Sequence, residues 1–503
     1  MLCTFLFNLI WLIPLLTVLI TVPIPRTHTV AIKRIHLASA GLELLISAGL
    51  VFRTFQLTMP LGLPTGNKPF VQYLTDINWL SFINAHYIVG ADALGILLVF
   101  LTSVIVFTGM LASWKIDTKE KDFFALMQIL GSGVYGVFMS FDLVLFFVFY
   151  EMEALCMYLM IAGWGTGNKD YGGKKLTLTL ALGSAMVLAS LFGIYIESGS
   201  ITWNILSLAD VKLPMHFQMW AFPLLFMGFA VSGSLFPFHF WSPDGHSSAP
   251  TAVSMLAAGV MMKMGPFACL RVAIYLMPEA AKIYLPYIAY LVIFNVAIAC
   301  FIAIRHKDLK YITAYSSISH LGLIFLGLAA ATPLAFRGAA LQMLSHGFLT
   351  GLFFASIGMI YSRTHTRNIY EMGGLMRIMP FLGVSFVIAG FAGLGLPGLS
   401  GFIAESTIFI GSFQSPIPHL RVVTIIGILS ITVTAVYILQ TANRMLHGPL
   451  TNAHFKELSD ADFIEKTALV VITVCLFGIG LFPSWISNFL DTAIAPIYAN
   501  FMR

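Results

Sequence analysis

Fourteen apolar runs, each long enough to cross a bilayer as a helix, restrict this chain to one class of fold. About 17 to 25 apolar residues span the hydrocarbon layer as a helix. Runs of that length lie at roughly 2–22, 35–57, 91–113, 123–141, 142–163, 176–197, 217–241, 251–277, 285–304, 311–330, 338–361, 381–411, 421–446 and 466–487. The expectation is an all-α polytopic membrane protein. Composition agrees, because only 49 of 503 positions are formally charged, whereas a soluble domain has about a quarter. The mean hydropathy is +0.90. The net charge of +5 comes from cations scattered a few at a time between the runs, which excludes a nucleic-acid-binding face.

The first run has no basic residue before it, unlike a cleavable signal peptide, and is read as span one. Spans four and five meet near Phe141 with almost no loop, and Asp142 is the expected N-cap of the fifth. The connections from Thr58 to Gly90 and from Ser198 to His216 mix proline, tryptophan and polar residues, which suits packing at the membrane surface. Cys3, Cys156, Cys269, Cys300 and Cys475 stand singly, so no disulfide framework, zinc site or iron–sulfur cluster is expected.

Connections after odd-numbered spans hold eighteen cations, among them Lys119, Lys174, Lys310 and Arg367, against seven on the other side, namely Arg53, Lys68, Lys212, Lys282, Arg337, Arg421 and Arg503. The positive-inside rule then places the odd connections in the cytoplasm and both termini outside it. Lys263 and Arg271 lie inside span eight.

Proline and glycine interrupt spans seven, eight and twelve. Pro237, Pro266 and Pro397 cannot donate to the carbonyls of Gly233, Met262 and Gly393, and helix breaks at membrane depth are tolerated where they face protein or a watery cavity. The breaks at Pro237 and Pro397 sit five spans apart. A repeat with an odd number of spans must be inverted, so two inverted five-helix repeats are expected, an arrangement typical of transporters. The chain divides into a three-helix segment (1–122), a first repeat of spans four to eight (123–277), a second of spans nine to thirteen (285–446), and span fourteen with an interfacial tail (447–503).

Ionisable residues at mid-span cost about 2.5 to 3.5 kcal/mol each. Glu151 and Glu153 in span five, Lys263 in span eight, His320 in ten, His346 in eleven and Glu405 in twelve form such a set. All but Glu153 are expected to line one polar axis, since Glu151 and Glu153 are two apart and point to different sides of the helix. A lone buried histidine is ordinarily a hydrogen-bonded core residue, whereas an ammonium and a carboxylate are harder to bury idle. Together the groups suit proton relay through water. Two matches to GxGxxG, at Gly131 to Gly136 and Gly393 to Gly398, follow no strand and are read as helix packing and a helix break. His306 and His320 are fourteen apart, but His306 sits in a loop, so haem is not expected.

Several stretches resemble the antiporter-like membrane subunits of respiratory complex I. They are Phe149-Tyr-Glu-Met; Phe236-Pro-Phe-His-Phe-Trp-Ser-Pro-Asp-Gly-His-Ser-Ser-Ala-Pro leading to Leu256-Ala-Ala-Gly-Val-Met-Met-Lys-Met-Gly; Tyr315-Ser-Ser-Ile-Ser-His-Leu-Gly; and Gly395-Leu-Pro-Gly with Phe402-Ile-Ala-Glu. Arg363-Thr-His-Thr-Arg-Asn-Ile with Gly373-Gly-Leu looks like the chain M branch, the bacterial counterpart of mitochondrial chain 4. The resemblance implies fourteen helices with the seventh and twelfth discontinuous, and a non-redox, proton-translocating membrane-arm subunit of an NADH (or ferredoxin):quinone oxidoreductase. It implies Glu151, Lys263, His320, His346 and Glu405 as the proton path, and no metal or cofactor in this chain. NADH or ferredoxin, flavin, iron–sulfur clusters and quinone are then expected in partner subunits. Sister antiporter-like chains, small membrane chains and lipids are the implied partners, in a bacterial inner membrane with both termini periplasmic.

A cation/proton antiporter shares the core motifs, as does a membrane subunit of an energy-converting hydrogenase or bicarbonate-uptake complex. One family member is missing here: Ser232 stands where a lysine normally partners the span-five glutamate. Either Glu151 works with His239, Ser232, Glu153 or water as accessory groups, or the first half-channel is degenerate.

Overall fold

The computed structural model describes residues 2–64 and 66–502; Arg503, counted among the outer cations, lies outside them. Among the described residues, thirteen helices are long and apolar enough to cross a membrane. The fourteenth crossing is span twelve, made of two pieces, Pro380–Gly393 and Ser400–Phe413. The protein is a multi-pass integral membrane protein. Carboxylates start several spans: Asp92 accepts from Gly95 N (2.8 Å) ahead of span three (Ala93–Ala112), and Asp142 accepts from Val144 N (2.9 Å) ahead of span five (Leu143–Trp164). Each satisfies an orphan N–H that the helix cannot pair within itself.

Burial sorts the spans. The most apolar stretch of span eight (Thr251–Ile274) and of span eleven (Pro333–Thr364) is 100% buried, against 22% for span one (Leu2–Thr21). Spans eight and eleven therefore have no lipid-facing side, and they carry Lys263 and His346.

Span seven runs Met215–Ser232, breaks, and resumes as Trp241–Ser248. Its end and that of Pro380–Gly393 share one hydrogen-bond pattern. Leu235 N donates to Ala230 O (3.0 Å) and Ser234 N to Val231 O (3.1 Å), while Leu396 N donates to Phe391 O (3.1 Å) and Gly395 N to Ala392 O (3.3 Å). The pattern repeats at an offset of 161 residues, 230 matching 391 and 231 matching 392. Both are Schellman endings, with Ser234 (φ 52°) and Gly395 (φ 64°) in the left-handed region. The broken backbone of span seven is served by a neighbouring span and by its own second piece. Asn295 of span nine (Pro278–Arg305) accepts from Phe236 N (2.6 Å) and donates to Ser234 O (2.8 Å), and Trp241 Nε1 donates to Val231 O (2.9 Å).

Two expectations need correction, and one connection holds a hairpin that its mixed composition did not signal. Pro266 does not break span eight: Met262–Ala268 is flanked by wider π turns at Ala257–Met261 and Cys269–Ile274, which absorb the missing proline N–H while the helix continues. Span fourteen is Phe463–Leu481 rather than 466–487, because Pro483 opens a separate helix, Pro483–Met502. The connection after span two (Thr29–Thr58) contains strands, β1 (Gln72–Leu80) and β2 (Ala85–Ala91), paired antiparallel with Thr75 opposite Val89 and Ile77 opposite Tyr87. The last helix lies on the same side as this hairpin, where Asn500 Nδ2 donates to Tyr275 O (2.6 Å) and Tyr275 Oη to Asn67 O (2.6 Å).

Candidate functional site

Lys263 is fully buried, and its ammonium donates to the carbonyl of Ala258 in the π turn one turn earlier. No carboxylate lies within ion-pair distance of it among the described residues. Beside it spans eight and eleven touch backbone to backbone: a Cβ on Gly347 would meet Gly259 O at 2.7 Å. Only glycine permits that approach, and it brings His346 within electrostatic reach of Lys263, His320 and His246. The His346 and His320 rings are 5.5 Å apart. Both His346 nitrogens are buried without a protein hydrogen-bond partner among the described residues, and buried polar atoms of this kind are ordinarily satisfied by water.

His320, in span ten (Leu309–Ala330), ends the row against Glu405 of Ser400–Phe413, with Nδ1 to Oε1 at 3.3 Å. Gln342 Nε2 lies 3.4 Å from the same nitrogen. The broken backbone of span twelve makes room for the carboxyl, since a Cβ on Gly395 would fall 2.6 Å from Glu405 Oε2. Both the positive φ and the close approach call for glycine there. On the same face of span ten, Ser316 accepts from Tyr437 Oη (2.8 Å), and Thr313 and Thr441 line a small cavity with them towards the basic-loop end.

The structure therefore brings Lys263, His346, His320 and Glu405 together, and adds His246, which was not singled out from the sequence. His246 is buried, stacks on Phe354 (5.2 Å between centroids), and has both nitrogens unpartnered among the described residues. It sits in a polar stretch that reads as loop, which hid it. Lys310, counted with the loop cations, is buried in the first turn of span ten and donates to Ala249 O.

In span five the expectation about the two glutamates is reversed. Glu153 lies on the buried stripe with Phe146, Phe149, Tyr150 and Met157, while Glu151 is only partly buried and shares the outer face with exposed Leu155. The inward stripe is set by the large aromatic residues, and Glu153 falls three residues after Tyr150 on it. Glu151 Oε1 and Glu153 Oε2 have no protein hydrogen-bond partner among the described residues. Ser232 is fully buried beside Tyr150, with its hydroxyl donating to Phe229 O (3.1 Å). His239 is half-buried and stacked on Phe236 (5.6 Å), at the break rather than in the central row. Arg271 is spoken for: it pairs with Asp92 and lies between the rings of Phe141 (4.9 Å) and Phe267 (5.0 Å).

Comparison with known proteins gives one consistent result. A family model described as NADH:quinone oxidoreductase/Mrp antiporter, TM, matches residues 140–433, more than half of the chain. The NAD(P)H-quinone oxidoreductase chain 4 of Gloeobacter violaceus is 33% identical over 485 residues, covering 93% of this chain and 90% of the relative. The chloroplastic chain 4 of Mesostigma viride is 33% identical over 426 residues, covering 84% of each. A chain of respiratory complex I from Thermus thermophilus with bound NADH superposes with a TM-score of 0.87 at 25% identity, covering 99% of this chain and 100% of that one. A chain of the Mrp complex from a Dietzia species shares the fold, with a TM-score of 0.86 at 18% identity over 99% and 98%.

Proposed function

Because the chain belongs to the NADH:quinone oxidoreductase/Mrp antiporter membrane family, we propose that it translocates protons as a non-redox membrane-arm subunit of a complex I-like NADH (or ferredoxin):quinone oxidoreductase. The observation that carries this reading is the enclosed row of His246, Lys263, His346 and His320 ending on Glu405. Each member can accept and release a proton, and the His346 and His320 rings, 5.5 Å apart, with Glu405 3.3 Å beyond His320, allow exchange without the movement of a larger ion. Lys263 is the central link, because its ammonium is held by a backbone carbonyl, so no carboxylate fixes its charge. Similarity to chain 4 relatives over 84% to 90% of their length supports the oxidoreductase setting over a cation antiporter, for which the likeness is one of fold.

Quinone reduction elsewhere in the complex drives the row, and NADH or ferredoxin, flavin, iron–sulfur clusters and quinone belong to partner subunits. Sister antiporter-like chains are the natural cover for the outer face of span five, where a partly buried Glu151 sits among exposed leucines. The matched helix endings at Ser232 and Gly393 support two inverted repeats, spans four to eight (123–277) and nine to thirteen (285–446), between the three-helix segment (1–122) and the C-terminal part (447–503). We place the protein in a bacterial inner membrane with both termini periplasmic, on the loop charges. The test is proton pumping by the reconstituted complex carrying Lys263→Met: a parental proton-to-electron ratio would refute the row.

A further inference from the structure

Span two carries a polar stripe that the central row does not use. His36, Ser39, Glu43, Ser47, Thr54 and Thr58 recur at spacings of three, four or seven and are all buried, so they occupy one face of the helix. Glu43, fully buried near the middle of the span, is the centre of a connected set. Thr17 Oγ1 of span one is 2.8 Å from Ser39 Oγ, which donates to Glu43 Oε1 at 2.8 Å. Glu43 Oε2 lies 3.2 Å from Tyr135 Oη of span four (Glu120–Met139), and that hydroxyl is 2.9 Å from Ser103 Oγ of span three. Among the described residues no cation forms an ion pair with Glu43. The titratable groups on the packed elements are His36 on its own helix and Tyr135; spans one and three present no charged side chain to it.

The set has a direction. Towards the basic loops, Thr21 Oγ1 lies 3.4 Å from His36 Nε2, His36 Nδ1 is unpartnered, and Lys33 reaches the loop carbonyl of Trp114 at 2.9 Å. Towards the hairpin, Leu50 and Val51 separate Ser47 from Thr54, whose hydroxyl lies 3.3 Å from Tyr73 Oη of β1, and no hydrogen bond joins Thr54 to the Glu43 set among the described residues. Span three separates the set from the central row, with Leu101 and Ile105 packed against Gly347 and Gly259.

We propose that Glu43 is a second proton-binding site of this chain, reached from the basic-loop side through His36, Thr21, Thr17 and Ser39 and separate from the Lys263 row. A proton from loop-side water passes to the Ser39 hydroxyl as Ser39 gives its own to Oε1, converting carboxylate to carboxylic acid; release reverses the path, and no other bond changes. The site does not rest on the pumping role proposed above.

The test is infrared difference spectroscopy on the intact complex in lipid, titrated from about pH 5 to about pH 9 in H₂O and in D₂O. A carboxylic-acid band that titrates, shifts in D₂O and is lost in Glu43→Gln is the expected result. Tyr135→Phe should keep the band but move its midpoint by about one pH unit, tenfold in proton affinity. Lys263→Met, which tests the pumping role, should leave the band unchanged. Identical spectra for the parent and Glu43→Gln, or a Glu43 band that neither titrates nor exchanges, would overturn the site. So would a midpoint unmoved by Tyr135→Phe.

Discussion

Nδ1 of His320 lies 3.3 Å from Oε1 of Glu405, which joins the helix carrying the linking histidine to the second half of a broken one. The pair closes one end of the row, and in the proposed function Glu405 is the group through which protons leave or enter it. Glu405→Gln keeps the shape and removes the exchangeable proton. It should slow proton transfer through this chain by about a hundredfold or more while the complex still assembles, as judged by native electrophoresis and pumping in proteoliposomes. Loss of assembly without loss of pumping in the surviving complex would contradict this. His320→Ala should have a milder effect, because water can stand in for an imidazole.

Span five offers a comparison of two carboxyls. Glu151→Gln is expected to lower the proton-to-electron ratio, since a mid-membrane carboxyl on a partly covered face is costly to keep idle. Normal pumping by that variant would mean that the first half-channel is inactive and would leave the inward-facing Glu153 without a partner function.

Ser232→Lys should not simply supply the missing lysine. Ser232 has no exposure, and a Cβ on Gly265 would already lie 2.8 Å from its hydroxyl. An unpaired ammonium there costs about 2.5 to 3.5 kcal/mol on the insertion scale, so the thermal stability of the purified complex should fall. Unchanged stability with raised pumping would show that the lysine found a carboxyl partner.

Asn295→Leu removes the two hydrogen bonds that Asn295 gives the bend of span seven and leaves Phe236 N and Ser234 O uncompensated. Each lost partner costs about 1 to 3 kcal/mol. A thermal midpoint within error of the parent would rule out this bracing role.

Asp462 caps span fourteen through Glu465 N (2.9 Å) and pairs with Lys115 (2.8 Å). Burial opposes its ionisation, but the Lys115 ammonium and the Glu465 N–H outweigh burial and hold the carboxyl below its ordinary value. A lowered folded value means that the cap's contribution is complete above the ordinary carboxylate range and disappears as pH falls through the lowered one. Amide exchange at Glu465 and Lys466, corrected for its intrinsic pH dependence, should therefore accelerate only below about pH 4. Acceleration near about pH 6 would show that the pairing with Lys115 is too weak to matter.

Hydropathy made the spans legible, because the bilayer imposes a length that a soluble fold does not. The breaks were legible as well, at Pro237 and Pro397, since proline and glycine leave a mark that needs no partner to interpret. Pro266 carries the same mark without a break, and nothing local distinguishes it: the π turn before it packs against span eleven and the one after it against span seven. Glu151 and Glu153 could be told apart as pointing different ways, but which way is inward was settled by the aromatic stripe of Phe146, Phe149 and Tyr150. Glu43 hid inside an apolar run and His246 inside a polar one. Asn295 gave no signal at all, because a neutral amide in an apolar span looks like any tolerated polar residue until its partner is in place. The hairpin was obscured by its length, a connection mixed enough to read as irregular surface.

Asn295 also imposes an order on biosynthesis. Translation runs from the N-terminus, so span seven leaves the ribosome before the residue that completes its bend has been made. Two further spans must enter the membrane before Phe236 N and Ser234 O meet that side chain, and until then those groups depend on water or on a straighter helix. The hydrogen bonds that brace the bend in span seven are thus completed late in insertion, by a segment made after the one that bends.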